Sequence, residues 1–107
     1  MSIYSFGEVF VCRFPFTSGQ LSKPRPVLIL FDFEADVVIC RITSAPHSSQ
    51  LDIPIHDWQA VGLVKPSVAR LNRLVTTEKD LLTKHLGHLS VADAAVIKSC
   101  WNRFMVL

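Results

Sequence analysis

The sequence lacks the charge excess that a protein needs to attract nucleic acid over its whole surface. Its 107 residues include 11 Lys and Arg against 9 Asp and Glu, which leaves a net charge of +2. It also lacks a hydrophobic run long enough to cross a bilayer, since the longest such run spans only residues 27–31. We therefore expect a soluble protein in which any binding of nucleic acid is local.

Paired cysteines are also missing. The chain has three cysteines, Cys12, Cys40 and Cys100, with no C-x-x-C spacing, which argues against a disulfide framework and against a zinc knuckle. Cys12 and Cys40 fall in apolar stretches, so we interpret them as small buried hydrophobic residues. The opening MSIYSFGEVF has no basic residue before an apolar core and no cleavage signal, so we expect a cytoplasmic protein.

Apolar residues, by contrast, are plentiful. They make up 50% of the sequence, charged residues make up 19%, and there are seven Phe and two Trp. Such a chain fits one small domain over residues 1–107. Because so many large apolar side chains must be covered, part of that surface is expected in the interface of a dimer.

Alternating and apolar stretches predict an antiparallel sheet of short strands. The predicted strands are residues 8–14, 25–33, 36–43, 50–55, 67–75 and 85–88. Pro54 indicates that the fourth strand lies at an edge. A helical turn closed by Gly62 is expected over residues 56–63, and a short helix over residues 77–82. The S-V-A-D sequence at Ser90 predicts the start of a C-terminal helix. The predicted fold is mainly β, a strongly bent sheet or SH3-like barrel with that helix.

One arginine stands in an unusual position, in KPRPVLIL at residues 23–30. Prolines on both sides keep Arg25 extended at the start of the second strand. The tight Glu34-Ala35 connection then brings Arg25 beside Thr43 and Ser44, at the end of the third strand. A guanidinium next to a hydroxyl is suited to binding a phosphodiester, although arginine and threonine at strand ends are also commonplace.

Several motifs together resemble the PemK/MazF family of toxin endoribonucleases from type II toxin–antitoxin systems. They are GEVFVCRF at residues 7–14, PFT at 15–17, KPRPVLIL at 23–30, VVICRITS at 37–44, DIPI at 52–55 and GLVKPSVARL at 62–71. The resemblance implies an SH3-like barrel, a homodimer, and a cognate antitoxin as partner. It also implies sequence-specific cleavage of single-stranded mRNA without a metal or other cofactor, leaving a cyclic phosphate and a 5′-hydroxyl.

The resemblance assigns the proton-donating and phosphate-stabilising role to Arg25, and the orientation of the phosphate to Thr43. The loop before the second strand would cover the RNA. Residues expected to contact RNA, from this loop and from neighbouring polar positions, are Phe16, Thr17, Ser18, Gln20, Lys23, Ser44, His47, Lys65 and Arg70. The alternatives are a core position for the phenylalanine, solvated surface charges for Lys65 and Arg70, and no role for His47.

Two other functions remain open from the residues. His85 and His88 are three apart, but Gly87 between them and the lack of a nearby carboxylate or cysteine argue against a metal site. A non-catalytic module of the same barrel could instead inhibit DNA gyrase through its C-terminal helix. Residues 101–107 are interpreted more simply as core or dimer surface, and the Arg25/Thr43 pair favours an enzyme.

Overall fold

The computed structural model describes residues 3–13 and 23–107. It contains a single six-stranded antiparallel sheet and one C-terminal helix, which confirms the predicted mainly-β fold. The strands are β1 (Glu8–Arg13), β2 (Pro24–Phe33), β3 (Asp36–Thr43), β4 (Asp52–Ile55), β5 (Ser67–Glu78) and β6 (Leu82–His88). A 3₁₀ helix covers Lys79–Leu81, and the helix α1 covers Val91–Phe104.

The strands lie in the order β4-β5-β3-β2-β1-β6, and the sheet does not close. Pro54 lies in the edge strand β4, as its sequence context predicts. Proline has no backbone N–H, and at the edge of a sheet this donor is not needed for pairing with a second neighbouring strand. No helix within the described residues is both long enough and apolar enough to cross a membrane.

The hairpin of β2 and β3 forms as predicted. Phe33 pairs with Asp36 across the two-residue connection, and Glu34 takes a φ of 68° there. The N–H of Glu34 donates to Oδ1 of Asp32 at 2.8 Å, which holds the turn. A register shift between Ile29 and Phe31 separates this turn from the end of the hairpin that carries the candidate site.

Both faces of the central strands are buried, which explains their nearly continuous apolar sequence. On one face, Leu28 and Ile42 pack in a cluster that includes Ile97 of α1. On the other face, Val27 and Ile39 pack in a second cluster. Cys40 is fully buried in the first cluster, and burial raises the pKa of its thiol to about 12, which agrees with its interpretation as a small core residue.

The helix α1 begins where the sequence predicts. Oγ of Ser90 accepts a hydrogen bond from the N–H of Asp93 at 3.1 Å. The Asp93 carboxylate is buried and accepts from the N–H groups of His56 at 3.2 Å and Asp57 at 2.8 Å. The first turn of the helix therefore also fixes a loop that is more than thirty residues away in sequence.

Two predicted local helices are wrong. Residues 56–63 form a series of turns and no helix, since the N–H of Leu63 donates to the carbonyl oxygen of Trp58, five residues back, and the N–H of Gly62 donates to that of Gln59, three residues back. Gly62 does close this segment, with a φ of 90°. Thr77 belongs to β5, which pairs with β3 as far as Glu78, so the predicted helix over 77–82 is reduced to the three-residue 3₁₀ helix.

The remaining predicted bounds differ at their ends. β4 begins two residues later than predicted, at Asp52, and β6 begins earlier than predicted, at Leu82. β5 continues beyond Val75 because its pairing with β3 resumes after a register shift. Phe14, the last residue of the predicted first strand, lies outside the described residues.

Candidate active site

Arg25 and Thr43 lie at the same end of the β2–β3 hairpin. Val27 pairs with Arg41, so continuing this antiparallel register by two residues places Arg25 opposite Thr43. Both residues line one cavity of about 160 Å³, which we call the Arg25 cavity. The structure therefore brings together the two side chains that the hairpin count predicts to be neighbours.

The two side chains differ in their surroundings. Arg25 is exposed, so its guanidinium is accessible to a ligand from solvent. Thr43 is half-buried, and its Oγ1 accepts a hydrogen bond from the N–H of Ala45 at 3.1 Å. This bond uses a lone pair of Oγ1 and not the hydroxyl proton. The proton can therefore be donated to an oxygen of a bound anion.

Two further predicted contact residues line the Arg25 cavity, namely Ser44 and Lys65, and both are exposed. The ammonium group of Lys65 adds a second positive charge to the same cavity as Arg25. The cavity thus combines two cationic side chains with hydroxyl groups, a set of groups that suits a phosphodiester.

A larger pocket of about 460 Å³ adjoins the Arg25 cavity, and we call it the Trp58 pocket. The two share Thr43, Ser44 and Ser67. The other residues that line the Trp58 pocket are Ala45, Pro46, His47, Ser48, Pro54, Ile55, His56, Trp58, Pro66 and Val68. His47, a predicted contact residue, therefore lies beside the site and not within the Arg25 cavity.

Positively charged side chains follow β3 away from Thr43. Arg41 lies two residues before Thr43 in the strand and pairs with Arg70 of β5. Burial and the charges of Arg25, Arg70 and Arg73 lower the pKa of Arg41 below its ordinary value. Since like charges must be close to have this effect, the four arginines form one positive region next to the candidate site.

Arg70 is held by a buried carboxylate. Its Nε donates to Oδ1 of Asp52 at 2.8 Å, and only 12% of the Arg70 side chain and 1% of the Asp52 side chain are exposed. Oδ2 of Asp52 accepts from the N–H of Ser49 at 3.0 Å. Burial alone would raise the pKa of Asp52, but the hydrogen bonds from Arg70 and Ser49 hold it below its ordinary value. Arg70 is thus a fixed charge and not a freely solvated one.

Five predicted contact residues remain to be placed. Lys23 is exposed immediately before β2 and lines neither the Arg25 cavity nor the Trp58 pocket. Four others, Phe16, Thr17, Ser18 and Gln20, lie outside the described residues. The structure therefore describes only Lys23 of these five residues, and Lys23 is not part of either cavity.

The sequence reasoning missed Arg41, Asp52 and Trp58. The strand alternation signals Arg41, because a residue two positions before Thr43 points to the same face. Asp52 and Trp58 could not be found in the same way. Their neighbours depend on the pairing of β4 with β5 and on the path of residues 56–63.

His85 and His88 have different partners, and a carboxylate, which the sequence does not indicate nearby, lies beside His85. Nε2 of His85 lies 3.3 Å from Oε1 of Glu8, whereas Nδ1 of His88 lies 2.8 Å from the carbonyl oxygen of Leu89. Across residues 3–13 and 23–107, no three His, Cys, Asp or Glu side chains converge to hold a metal ion.

Comparison with solved structures finds the same fold in bacterial toxins. The chain is 22% identical to the Mycobacterium tuberculosis toxin MazF-mt6, with a TM-score of 0.74 over 94% of this chain and 98% of that one. It is 20% identical to an endoribonuclease from Mycobacterial species solved in complex with its cognate antitoxin, with a TM-score of 0.75 over 96% and 95% of the two chains. MazF from Deinococcus radiodurans is 13% identical, with a TM-score of 0.68 over 98% and 97%.

A search of curated protein sequences found no significant match. The family model of the PemK-like, MazF-like toxins matches residues 5–105, which is nearly the whole chain. That match includes both strands that carry Arg25 and Thr43. The chain therefore belongs to the PemK-like, MazF-like toxins of type II toxin–antitoxin systems.

Proposed function

We propose that the protein is a sequence-specific endoribonuclease that cleaves single-stranded mRNA without a metal and thereby inhibits growth. The observation that carries this proposal is the meeting of Arg25 and Thr43 in one cavity, in a chain of this toxin family. The chain also shares its fold with proteins named as endoribonucleases from Mycobacterial species.

In the proposed reaction, the 2′-hydroxyl of one nucleotide gives up its proton to solvent water and attacks the neighbouring phosphorus, and the bond from phosphorus to the 5′-oxygen breaks. The products are a 2′,3′-cyclic phosphate and a 5′-hydroxyl. The guanidinium of Arg25 stabilises the extra negative charge on the pentavalent phosphate, and the Thr43 hydroxyl orients one of its oxygens. Both groups are already in place at the end of the hairpin, so little reorganisation is needed.

Proton transfer sets a condition on Arg25. The leaving 5′-oxygen needs a proton, and an arginine side chain does not remain neutral in a protein. Arg25 can therefore supply this proton only if the guanidinium regains a proton from water at the same time. The exposure of Arg25 meets this condition, since water has access to the guanidinium.

The same proposal includes two protein partners. The first is a cognate antitoxin that blocks the Arg25 cavity with an acidic, apolar segment, by analogy with the mycobacterial endoribonuclease solved with its antitoxin. The second is another copy of this chain. Phe31 and Phe33 are 42% and 61% exposed, and the Phe31 ring lies 5.5 Å from the Trp101 ring, so an apolar surface is present for a dimer interface.

The experiment that tests the proposal compares the wild type with Arg25→Ala on a long RNA of mixed sequence, with EDTA present. The wild type should cut at defined sites and leave cyclic phosphate ends. Arg25→Ala should cut about 100–1,000-fold more slowly, because one stabilising donor at the charged phosphate is lost. Arg103→Gln is the matched control, since it removes an arginine from α1, which contributes no residue to the lining of the Arg25 cavity.

Circular dichroism should show that both variants are folded, because Arg25 is exposed at a strand end. A folded Arg25→Ala protein that cuts RNA at the wild-type rate would mean that the cavity has been assigned wrongly. Loss of wild-type cleavage on addition of EDTA would contradict the metal-independent mechanism.

A further inference from the structure

A second arginine lies on the same face of the sheet as the two residues of the candidate site. Arg41 is two residues before Thr43 in β3, so the alternation of the strand directs both side chains to one face. Since Arg25 is opposite Thr43, Arg41 is the diagonal neighbour of Arg25. Diagonal neighbours in an antiparallel pair are about 7–8 Å apart, which is within reach of a side chain as long as arginine. A ligand held by Arg25 and Thr43 therefore also lies within reach of Arg41.

The sheet face changes from apolar to charged at Arg41. Ile39, two residues earlier in β3 and on the same face, is fully buried. Arg41 pairs with Val27 of β2 on one side and with Arg70 of β5 on the other. Arg70 pairs in turn with Asp52 of the edge strand β4. The charged row thus lies directly beside the row that contains the candidate site.

The charges in this row are arranged at a cost to stability. Like charges directly opposite each other on neighbouring strands destabilise a sheet, and Arg41 and Arg70 are such a pair. The Asp52 carboxylate accepts from Nε of Arg70 at 2.8 Å and balances one of the two positive charges. Burial and the charges of neighbouring arginines, Arg25 first among them, lower the pKa of Arg41. Charged groups that work against the stability of the fold are typical of binding sites.

We propose that Arg41 binds a second phosphate of the RNA backbone, next to the phosphate held by Arg25 and Thr43. This inference rests on the proposed function, because it extends the contact with the RNA backbone from one phosphate to two. Two residues along a strand span about 6–7 Å, a separation comparable with that of neighbouring phosphates in a single RNA strand. Arg41 is half-buried, so part of its side chain is accessible to a ligand. Because its phosphate does not react, Arg41 is a positioning residue that keeps the cleaved phosphate at Arg25.

The test measures the binding of a mixed-sequence 2′-O-methyl trinucleotide, which has two phosphates and no free 2′-hydroxyl to attack them. In two further trinucleotides, one phosphate or the other is replaced by an uncharged methylphosphonate. Either replacement should weaken binding to the wild type about tenfold or more, because one charge-assisted contact is lost. If the protein contacted only one phosphate, the trinucleotide would shift and place its remaining charge at Arg25. The affinity would then hardly change, and this result would overturn the proposal.

Variants of Arg41 assign the second contact to this side chain. Arg41→Gln should bind the unmodified trinucleotide about tenfold more weakly, and a methylphosphonate at one position should weaken it little further. Arg41→Lys keeps the charge and should retain most of the affinity, which separates the role of the charge from packing. Arg103→Gln on α1 is the matched control and should bind as the wild type does. Wild-type affinity in a folded Arg41→Gln protein would contradict the proposal. Should Arg41→Gln fail to fold, the comparison of trinucleotides on the wild type still decides.

Cleavage kinetics on a longer RNA give a second result. Arg41→Gln should raise KM about tenfold and change kcat much less, because the lost contact is to a phosphate that does not react. Arg25→Ala should instead lower kcat, since Arg25 acts on the reacting phosphate. A fall in kcat with unchanged KM in Arg41→Gln would overturn the proposed position of the second phosphate.

The failure of this inference is distinguishable from a failure of the proposed function. A wild type that cuts RNA but binds the methylphosphonate trinucleotides as well as the unmodified one retains its nuclease function and loses the second phosphate contact. A wild type that cuts no RNA loses the nuclease function. In that second case, weaker binding of both methylphosphonate trinucleotides would still support two phosphate contacts, because the binding assay needs no cleavage.

Discussion

The contribution of the buried Asp52–Arg70 ion pair to the free energy of unfolding can be measured directly. Asp52→Ala would leave a guanidinium that is only 12% exposed without its carboxylate, close to the charge of Arg41. Removing one partner of a buried ion pair typically costs about 3–5 kcal/mol, far more than the cost at an exposed pair. A domain of this size has roughly 5–15 kcal/mol of stability in total. We therefore expect the variant to lose a large part of its free energy of unfolding.

Urea unfolding followed by circular dichroism measures this loss. All variants should be compared at one protein concentration, because dimerisation makes the apparent stability depend on concentration. Asp52→Asn is the matched control, since its amide oxygen can still accept from Arg70 at nearly the same volume. Asp52→Asn should cost clearly less than Asp52→Ala. If the free energies of unfolding of Asp52→Ala and the wild type differ by less than about 1 kcal/mol, the pair contributes no more than an exposed ion pair, and the prediction is wrong.

The pH dependence gives a second check on the same pair. The pKa of Asp52 is lower in the folded protein than its ordinary value of 3.8. The contribution of the Asp52 charge to the free energy of unfolding is therefore complete above pH 3.8, the ordinary pKa. It is lost as the pH falls through the lower pKa that Asp52 has in the folded protein. The gap in stability between the wild type and Asp52→Ala should narrow in that acidic range. A gap that stays constant there would show that the charge of Asp52 is not what stabilises the fold.

Two further predictions concern the hairpin. Glu34→Gly should raise the free energy of unfolding by about 0.5–1 kcal/mol in urea unfolding, because Glu34 has a φ of 68° and glycine adopts it without strain; a lower stability would contradict this. The N–H of Tyr4, with Lys79 and the N–H of Glu34, lowers the pKa of Asp32 to about 2 from 3.8, so its contribution is lost as the pH falls through this range. In an acid titration, the stability of Asp32→Asn should therefore fall less steeply with decreasing pH than that of the wild type between pH 3.8 and about 2. Identical curves for the two proteins would contradict this prediction.

The hairpin that carries the candidate site could be predicted because its determinants are local. The turn at Glu34-Ala35 lies between two apolar strands, and counting back from it places Arg25 within one residue of Thr43, while a register shift between Ile29 and Phe31 sets the final pairing. The start of α1 was predictable for the same reason, since Ser90 and Asp93 are three residues apart. Where a residue's partner lies within a few positions or across a tight turn, the sequence contains the information directly.

The wrong predictions depend on contacts that are distant in sequence. Residues 56–63 are predicted to form a helical turn, but the N–H of Leu63 donates to the carbonyl oxygen of Trp58, five residues back, and Asp93, 37 residues after His56, anchors the start of the segment. Thr77 is predicted to start a helix, but its pairing with Val37 extends β5. Partners as distant as Asp93 and Val37 are not visible before the fold is known.

The net charge of the whole chain does not predict how strongly the candidate site attracts RNA. The charge close to the site is the relevant quantity. The small net charge of +2 argues against attraction of RNA to the whole surface. However, Arg25, Arg41, Arg70 and Arg73 are close enough together to lower the pKa of Arg41. Asp52 pairs with Arg70 within this group, whereas Arg25 lines the candidate cavity itself. In the proposed function, Arg25 beside Thr43 therefore supplies the local charge that holds the RNA backbone, although the chain as a whole carries little net charge.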